Sequence, residues 1–332
     1  MRRNLGIMVG ILLLAAVVGE VGAQQPVPVR VAWQPYNAVI FYTARDHKLF
    51  ERVGLQPQYT RFTAGPPQFA AFRSESVDVG LFGTAGMVAG SSQGLDYQNF
   101  YIQIASNYGD GLVARPESGI TRLQDLKGKK IAFVRGSSAH LGLIKALQKA
   151  GLSPSDVNMM HMDLAAMAPA FANRDVDAAY SWEPWISRMQ EAGGKVIVRS
   201  NEVGLNTSDH WVVRKAWAEK NPQALQLLLK AVDLALQEFK GNPATAIKAT
   251  AENVGVSEAT AKKIVEITPV FSQEQLIDPN FYLSMLPGAG AQKMIQEVGD
   301  FLIEQGVVKN RIDAGKIVDG SHIQAYLRAK KR

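Results

Sequence analysis

Asp110-Gly111-Leu112-Val113-Ala114-Arg115 and Asp209-His210-Trp211-Val212-Val213-Arg214 share the pattern Asp-x-x-Val-x-Arg. The same separation along the chain relates Ala71-Phe72 through Val77-Asp78 to Ala170-Phe171 through Val176-Asp177. Upstream, Val31-Ala32-Trp33 corresponds to Ile131-Ala132-Phe133, and Val53-Gly54-Leu55-Gln56-Pro57 to Ala150-Gly151-Leu152-Ser153-Pro154. Four matches in one order indicate two copies of a single supersecondary unit.

Each copy reads as strands alternating with helices. In the second, Lys130 to Val134 is an apolar run suited to a buried strand, and Ser138 opens a helix with Leu143, Ala146, Leu147 and Ala150 on one face. Gly151 stops it. In the first, Val29 to Trp33 is the strand, and Tyr42, Leu49, Phe50 and Val53 form a helical stripe that ends at Gly54. This alternation predicts α/β architecture: two doubly wound lobes with parallel sheets, whose ligands sit beyond the carboxyl ends of the strands. After Arg214 the pattern turns helical. Asn221 caps, Pro222 takes the first position, and Leu225, Leu228, Leu229, Val232, Leu236 and Phe239 fall in register. Further helices are expected near 244–253, 257–265 and 289–304. This segment cannot bury its stripe alone, so it is expected to pack on the first lobe, and the Asp-x-x-Val-x-Arg segments are the natural crossings. The division is then 24–110 and 210–332 for one lobe and 111–209 for the other.

Composition removes other classes. A chain of 332 residues with 47% apolar and 20% charged side chains can fill two ordinary cores. There is no cysteine, which excludes disulfide scaffolds, thiol catalysis and Cys-ligated metal sites. The net charge of +6 is modest and its basic residues are scattered apart from Lys127 to Lys130 and Arg328 to Arg332, so nucleic acid is not an expected partner. At the start, Arg2 and Arg3 precede an apolar run from Leu5 to Val18, followed by the small-residue site Val21-Gly22-Ala23. That is the order of a secretory signal peptide spanning 1–23. The run is shorter than the ~20 apolar residues of a membrane span. Arg2-Arg3 leaves a twin-arginine route open, although the apolar run favours general secretion, and export without cysteine points to the periplasm.

Candidate site residues lie at the strand ends. Gln34 and Tyr36 follow the first strand, in the turn Gln34-Pro35-Tyr36-Asn37. Ser137 and Ser138 open a helix whose N–H groups and dipole suit an anion, and Thr84-Ala85 after the strand Val77 to Phe82 repeats the arrangement. An ordinary N-cap would explain Ser138 equally. Trp182 and Glu183 end the strand Val176 to Tyr180, as a pocket wall and a ligand contact or as core packing and a helix-start carboxylate. Asp110 and Asp209 stand at the crossings, facing the cleft or pairing with a nearby arginine. The five histidines show no metal-ligand spacing, and no nucleophile elbow, phosphate loop or dinucleotide fingerprint follows a strand. A Ser137/His140 nucleophile pair has little support, since one helical turn rarely aligns them. No cofactor or metal is expected.

Arg135 through His140, Val176 through Pro184 and Asp209 through Lys215 resemble the solute-binding proteins of ABC importers for taurine, aliphatic sulfonates and nitrate. The similarity runs over nearly the whole mature chain. Asp209-x-Trp-Val-Val-Arg-Lys followed by Ala218-Glu219-Lys220-Asn221-Pro222 is most like the taurine-binding members, whereas Gly136-Ser137-Ser138-Ala139-His140 is more like the general alkanesulfonate members. The resemblance implies a monomeric two-lobed periplasmic binding protein that closes on its ligand and docks on a membrane permease with its cytoplasmic ATPase. Gln34, Thr84, Ala85, Ser137, Ser138 and His140 would surround the sulfonate, Trp182 would form a wall, and Asp110 and Asp209 would meet an ammonium group. Related desulfinases and thiamine-pyrimidine synthases rely on cysteine. A different small anion, a sensory role, or a cysteine-independent enzyme on this fold are the competing readings.

Overall fold

The computed structural model describes residues 25–36, 38–62 and 65–332. The expected signal peptide and Asn37 lie outside them. The first part of the chain forms β1 (Val27–Trp33), α1 (Val39–Asp46), α2 (Leu49–Arg52), β2 (Leu55–Arg61), α3 (Gly65–Arg73), β3 (Val79–Gly83), α4 (Thr84–Ser92) and β4 (Tyr97–Ala105). The second part holds β5 (Gly111–Ala114), β6 (Lys130–Phe133), α5 (Ser138–Lys149), β7 (Asn158–His161), α6 (Leu164–Ala172), β8 (Ala178–Ser181), α7 (Trp185–Glu191) and β9 (Lys195–Arg199). The chain then returns through β10 (Ser208–Arg214) to α8 (Lys215–Lys220), α9 (Pro222–Gly241), α10 (Pro243–Val254), α11 (Glu258–Glu266), α12 (Gln273–Leu276) and α13 (Gly290–Glu304).

Two five-stranded sheets result, ordered β2-β1-β3-β10-β4 and β7-β6-β8-β5-β9. They are mixed, not purely parallel. In each, the βαβ units give parallel pairs (β1 with β2 and β3; β6 with β7 and β8), while the strand arriving from the other lobe runs antiparallel to both its neighbours. A strand entering from across the cleft starts at the carboxyl ends of the others, so it can only run back against them. The sheets also explain the sequence repeat. Arg214 of β10 donates to Asp78 Oδ1 at 3.1 Å, and Arg115, which follows β5, donates to Asp177 Oδ1 at 3.3 Å, so the repeated arginine and the repeated aspartate are partners within each sheet. Both aspartates also accept a backbone N–H, from Arg30 and Lys130, and this holds them just ahead of β3 and β8. Gly54 and Gly151, matched in the repeat, adopt φ of +96° and +72°, the left-handed turn that brings a helix back to a strand.

The first sheet carries the larger core. Trp211 of β10 is fully buried among Phe41, Phe50, Phe100 and Tyr101, and the apolar stripe of α9 joins this core through Leu225, Leu228, Leu229, Val232 and Leu236. The C-terminal helices therefore pack on the first lobe, as their composition requires. In the second sheet alternation sends Leu112 to one face, under α5, and Val113 to the other, under α6 and α7. The lobes meet at two crossings, where Ser106 N donates to Thr207 O at 3.0 Å and the repeat-related Asn107 and Asn206 side chains touch at 3.4 Å. They also meet at both rims. Lys145 of α5 pairs with Glu297 of α13 at 2.7 Å, and Arg188 of α7 donates to the carbonyls of Val254 and Gly255 at 3.0 and 3.3 Å.

Candidate functional site

The crossings bring Asp110 and Asp209 to the cleft between the sheets. Asp209, the second residue of β10, pairs with Gly83, and a methyl group placed on Gly83 would lie 3.3 Å from Asp209 Oδ1. Both carboxylates are buried. Burial is the larger reason that Asp209 is raised well above the usual carboxylate range, and the charge of Asp110 adds to it. Asp110 is pushed up to about 7, first by desolvation, with the Ser138 hydroxyl and Arg199 pulling it back and Glu183 pushing it further. Asp110 Oδ2 is buried without a partner, and among the described residues no side chain pairs with the Asp209 carboxylate. Two buried acids, of which only Asp110 has a hydroxyl and a cation to temper it, are an unfavourable arrangement until a further cation arrives.

Tyr36 lies beside this pair. Its hydroxyl is buried and unpartnered, and it is held protonated by desolvation and by the charge of Asp209. Its carbonyl accepts the Tyr42 hydroxyl at 2.6 Å, which fixes the turn after β1. Gln34, at the same turn, donates to Gln68 Oε1 at 2.7 Å, and Gln68 in turn bridges the carbonyls of Ala32 and Leu81.

The hydroxyls of the helix starts are engaged by protein. Thr84 donates to Ser208 O at 3.0 Å and accepts from Ser208 N at 3.0 Å; Ala85 beside it is buried. Ser137 Oγ donates to Val134 O at 2.7 Å, and the Ser138 hydroxyl serves Asp110. His140 packs its ring between Phe133 and Phe301, with centroids 4.9 and 5.5 Å away, and burial holds it neutral, down to about 4. Neither α4 nor α5 has a side-chain cap at its N-terminus, so first-turn amides are the donors left for an anion.

Trp182 is half-buried against the second-lobe core. Glu183 is buried, accepting from Ser187 N and Oγ at 3.0 and 2.8 Å and from Arg199 at 3.3 Å, so it both caps α7 and forms an ion pair. Arg199 is the functional residue that the sequence reading missed. It ends β9, donates to Gly109 O at 3.2 Å beside the first crossing, and is the cation that tempers Asp110. Its signal was a lone cation closing the apolar run Val196 to Val198. Among the described residues no cluster of His, Asp and Glu is arranged to hold a metal ion, and no helix is long and apolar enough to cross a membrane.

A family model described as NMT1/THI5 like matches residues 36–246, which take in both crossings and every strand of the two sheets except β1. The chain belongs to the NMT1/THI5-like family. A taurine-binding periplasmic protein of Escherichia coli (strain K12) is 29% identical over 310 residues, covering 89% of this chain and 92% of that one. A protein named for aliphatic sulfonate binding in Bacillus subtilis (strain 168) is 27% identical, covering 98% and 97%. The crystal structure of the periplasmic aliphatic sulphonate binding protein SsuA from Escherichia coli superposes with a TM-score of 0.76 at 22% identity, covering 89% of this chain and 92% of that one. This NMT1/THI5-like chain therefore has the fold of a two-lobed periplasmic binding protein.

Proposed function

We propose that the mature chain captures a small amine-bearing sulfonate, taurine or a near relative, between its lobes in the periplasm and delivers it to the permease of an ABC importer, whose cytoplasmic ATPase drives uptake. In this reading residues 1–23 are removed on export. One lobe comprises 24–110 and 210–332, the other 111–209, and the protein acts as a monomer without catalysis.

The observation that carries the ligand class is the Asp110/Asp209 pair, buried, facing one cleft and without an ion-paired cation. An ammonium group supplies the missing charge, and donors for Asp209 and for the unpartnered Oδ2 of Asp110. The uncapped starts of α4 and α5 and the free Tyr36 hydroxyl offer donors to the sulfonate end. A plain alkanesulfonate, nitrate or aromatic acid would bring a second negative charge to two buried acids with nothing to offset it. The names of the two relatives support a sulfonate, and the acidic pair favours the amine-bearing kind.

Thermal unfolding of the protein lacking residues 1–23, with taurine, ethanesulfonate and nitrate in turn, tests this reading. A ligand at 100 times its Kd adds about 2.7 kcal/mol of stability when it binds the native state alone. Taurine is expected to raise the Tm most and to be recovered intact. A nitrate shift exceeding that of taurine, or consumption of taurine during incubation, would contradict the proposal.

A further inference from the structure

His210 follows Asp209 on β10 and points to the opposite face of the sheet, where it is fully buried. Its ring touches three side chains. Nε2 lies 3.0 Å from Thr84 Oγ1 and 3.1 Å from Ser208 Oγ, and Nδ1 lies 2.9 Å from Asn99 Nδ2. With the Thr84 hydroxyl proton on the Ser208 carbonyl, the threonine oxygen accepts from the ring. With the Asn99 amide nitrogen toward Nδ1, that ring nitrogen accepts. This arrangement puts the ring proton on Nε2. Burial holds the ring neutral, down to about 3.

This network surrounds an irregular place in the sheet. The pairing of β10 with β4 shifts register between Asp209 and His210, a bulge, and bulges re-aim the side chains beside them. Thr84 Oγ1 accepts the Ser208 N–H and donates to the Ser208 carbonyl, so the residue before Asp209 is fixed by its backbone. The residue after Asp209 is fixed by its ring, on the same threonine and on Asn99 of β4. Asp209 stands between two braced neighbours, while its own carboxylate has no hydrogen-bond partner among the described residues.

We infer that His210 is a positioning residue for ligand selection: as an Nε2–H imidazole braced by Thr84 and Asn99, it pins the bulge that aims the Asp209 carboxylate into the cleft. This rests on the reading of Asp209 as the partner of the ligand ammonium. A packing role alone would weaken every ligand alike when the ring is lost. A positioning role weakens amine-bearing ligands selectively, because the aim of the carboxylate is what changes.

The test is calorimetric titration of His210→Leu, His210→Gln and Thr84→Val with taurine and ethanesulfonate. His210→Leu is expected to lose about tenfold more affinity for taurine than for ethanesulfonate, the loss about 1.4 kcal/mol represents. His210→Gln keeps a donor for Thr84 and should recover most of the preference. Thr84→Val should reproduce the selective loss and add little to it in the double variant, since both act through one brace. Equal losses for both ligands, or independent losses for the two sites, would overturn the inference. Nitrogen-15 spectra of the wild-type imidazole need no variant to fold: a proton on Nε2 is expected, and one on Nδ1 would overturn it as well. Failure of wild-type protein to bind either sulfonate would instead count against the ligand reading itself.

Discussion

At equivalent places in the internal repeat, the two lobes hold the start of a cleft-facing helix by different chemistry. In the first lobe Thr84 and His210 form a neutral brace between α4 and β10. In the second the equivalent of Thr84 is Glu183, which caps α7 and pairs with Arg199. The difference reaches the cleft. Asp110 shares its surroundings with Arg199 and the Ser138 hydroxyl and is raised to about 7, whereas burial and the Asp110 charge raise Asp209 with no cation opposing them. A duplicated scaffold thus presents two acids in unequal surroundings, and Asp209 is the one with no cation to oppose its shift.

The sharpest way to break the equivalence is at position 111, which the repeat matches to His210. A Cβ on Gly111 would meet the Val198 carbonyl at 2.5 Å, and a backbone atom paired in a sheet has little room to retreat. Gly111→Ala should therefore cost about 3 kcal/mol of stability in urea unfolding, the upper part of the overpacking range.

Glu183→Gln leaves Arg199 beside the first crossing without its partner. Removing one side of a buried pair costs about 3 to 5 kcal/mol, and the partial exposure of Arg199 reduces the expectation to about 2 kcal/mol. The freed guanidinium turns fully to Asp110, so the variant should bind taurine more weakly. Unchanged affinity would separate the Arg199 brace from the ligand site.

The acids themselves give a pH signature. Asp110 has a folded-state value raised to about 7 over an ordinary carboxylate, so it contributes stability that is complete below the unfolded range and is lost as pH rises through about 7. Relative to wild type, Asp110→Asn should gain on the order of 2 kcal/mol of stability between about pH 5 and about pH 8, since each tenfold change in proton affinity is worth about 1.4 kcal/mol and coupling to Asp209 divides the effect. An ammonium ligand opposes this protonation, so taurine affinity should fall as pH drops from about 8 to about 6, with proton release on binding. The smallest effect belongs to the rim. Lys145→Ala removes a partly exposed pair with Glu297 and should change stability by about 0.5 kcal/mol.

Much of the fold could be read in the chain because its signals are periodic. The apolar stripe of α9 and the turns at Gly54 and Gly151 depend on local pattern, and the structure has them where the pattern falls. The antiparallel return of β5 and β10 was not visible, since direction within a sheet is decided by where the chain comes from and not by its residues. At the site, the meeting of Asp110 and Asp209 followed from their repeat-related places at the crossings. The partners of Thr84, Ser137 and Glu183 did not: Ser208, Val134 and Arg199 are set by tertiary packing, and a hydroxyl at a helix start reads the same whether it faces ligand or protein. His210 was legible as a histidine without metal spacing, but its brace joins α4, β4 and β10, which are far apart in sequence.

The measurement that bears most directly on the acidic pair as an amine selector is calorimetric titration of wild type and Asp209→Asn with taurine and with ethanesulfonate. The substitution keeps the shape and removes one charge, and breaking a charge-assisted pair of this kind costs about 2 to 5 kcal/mol. The account predicts that taurine affinity falls at least about tenfold, while ethanesulfonate binds unchanged or slightly better as a buried repulsion is relieved. Equal losses for the two ligands, or no loss of taurine affinity, would contradict it.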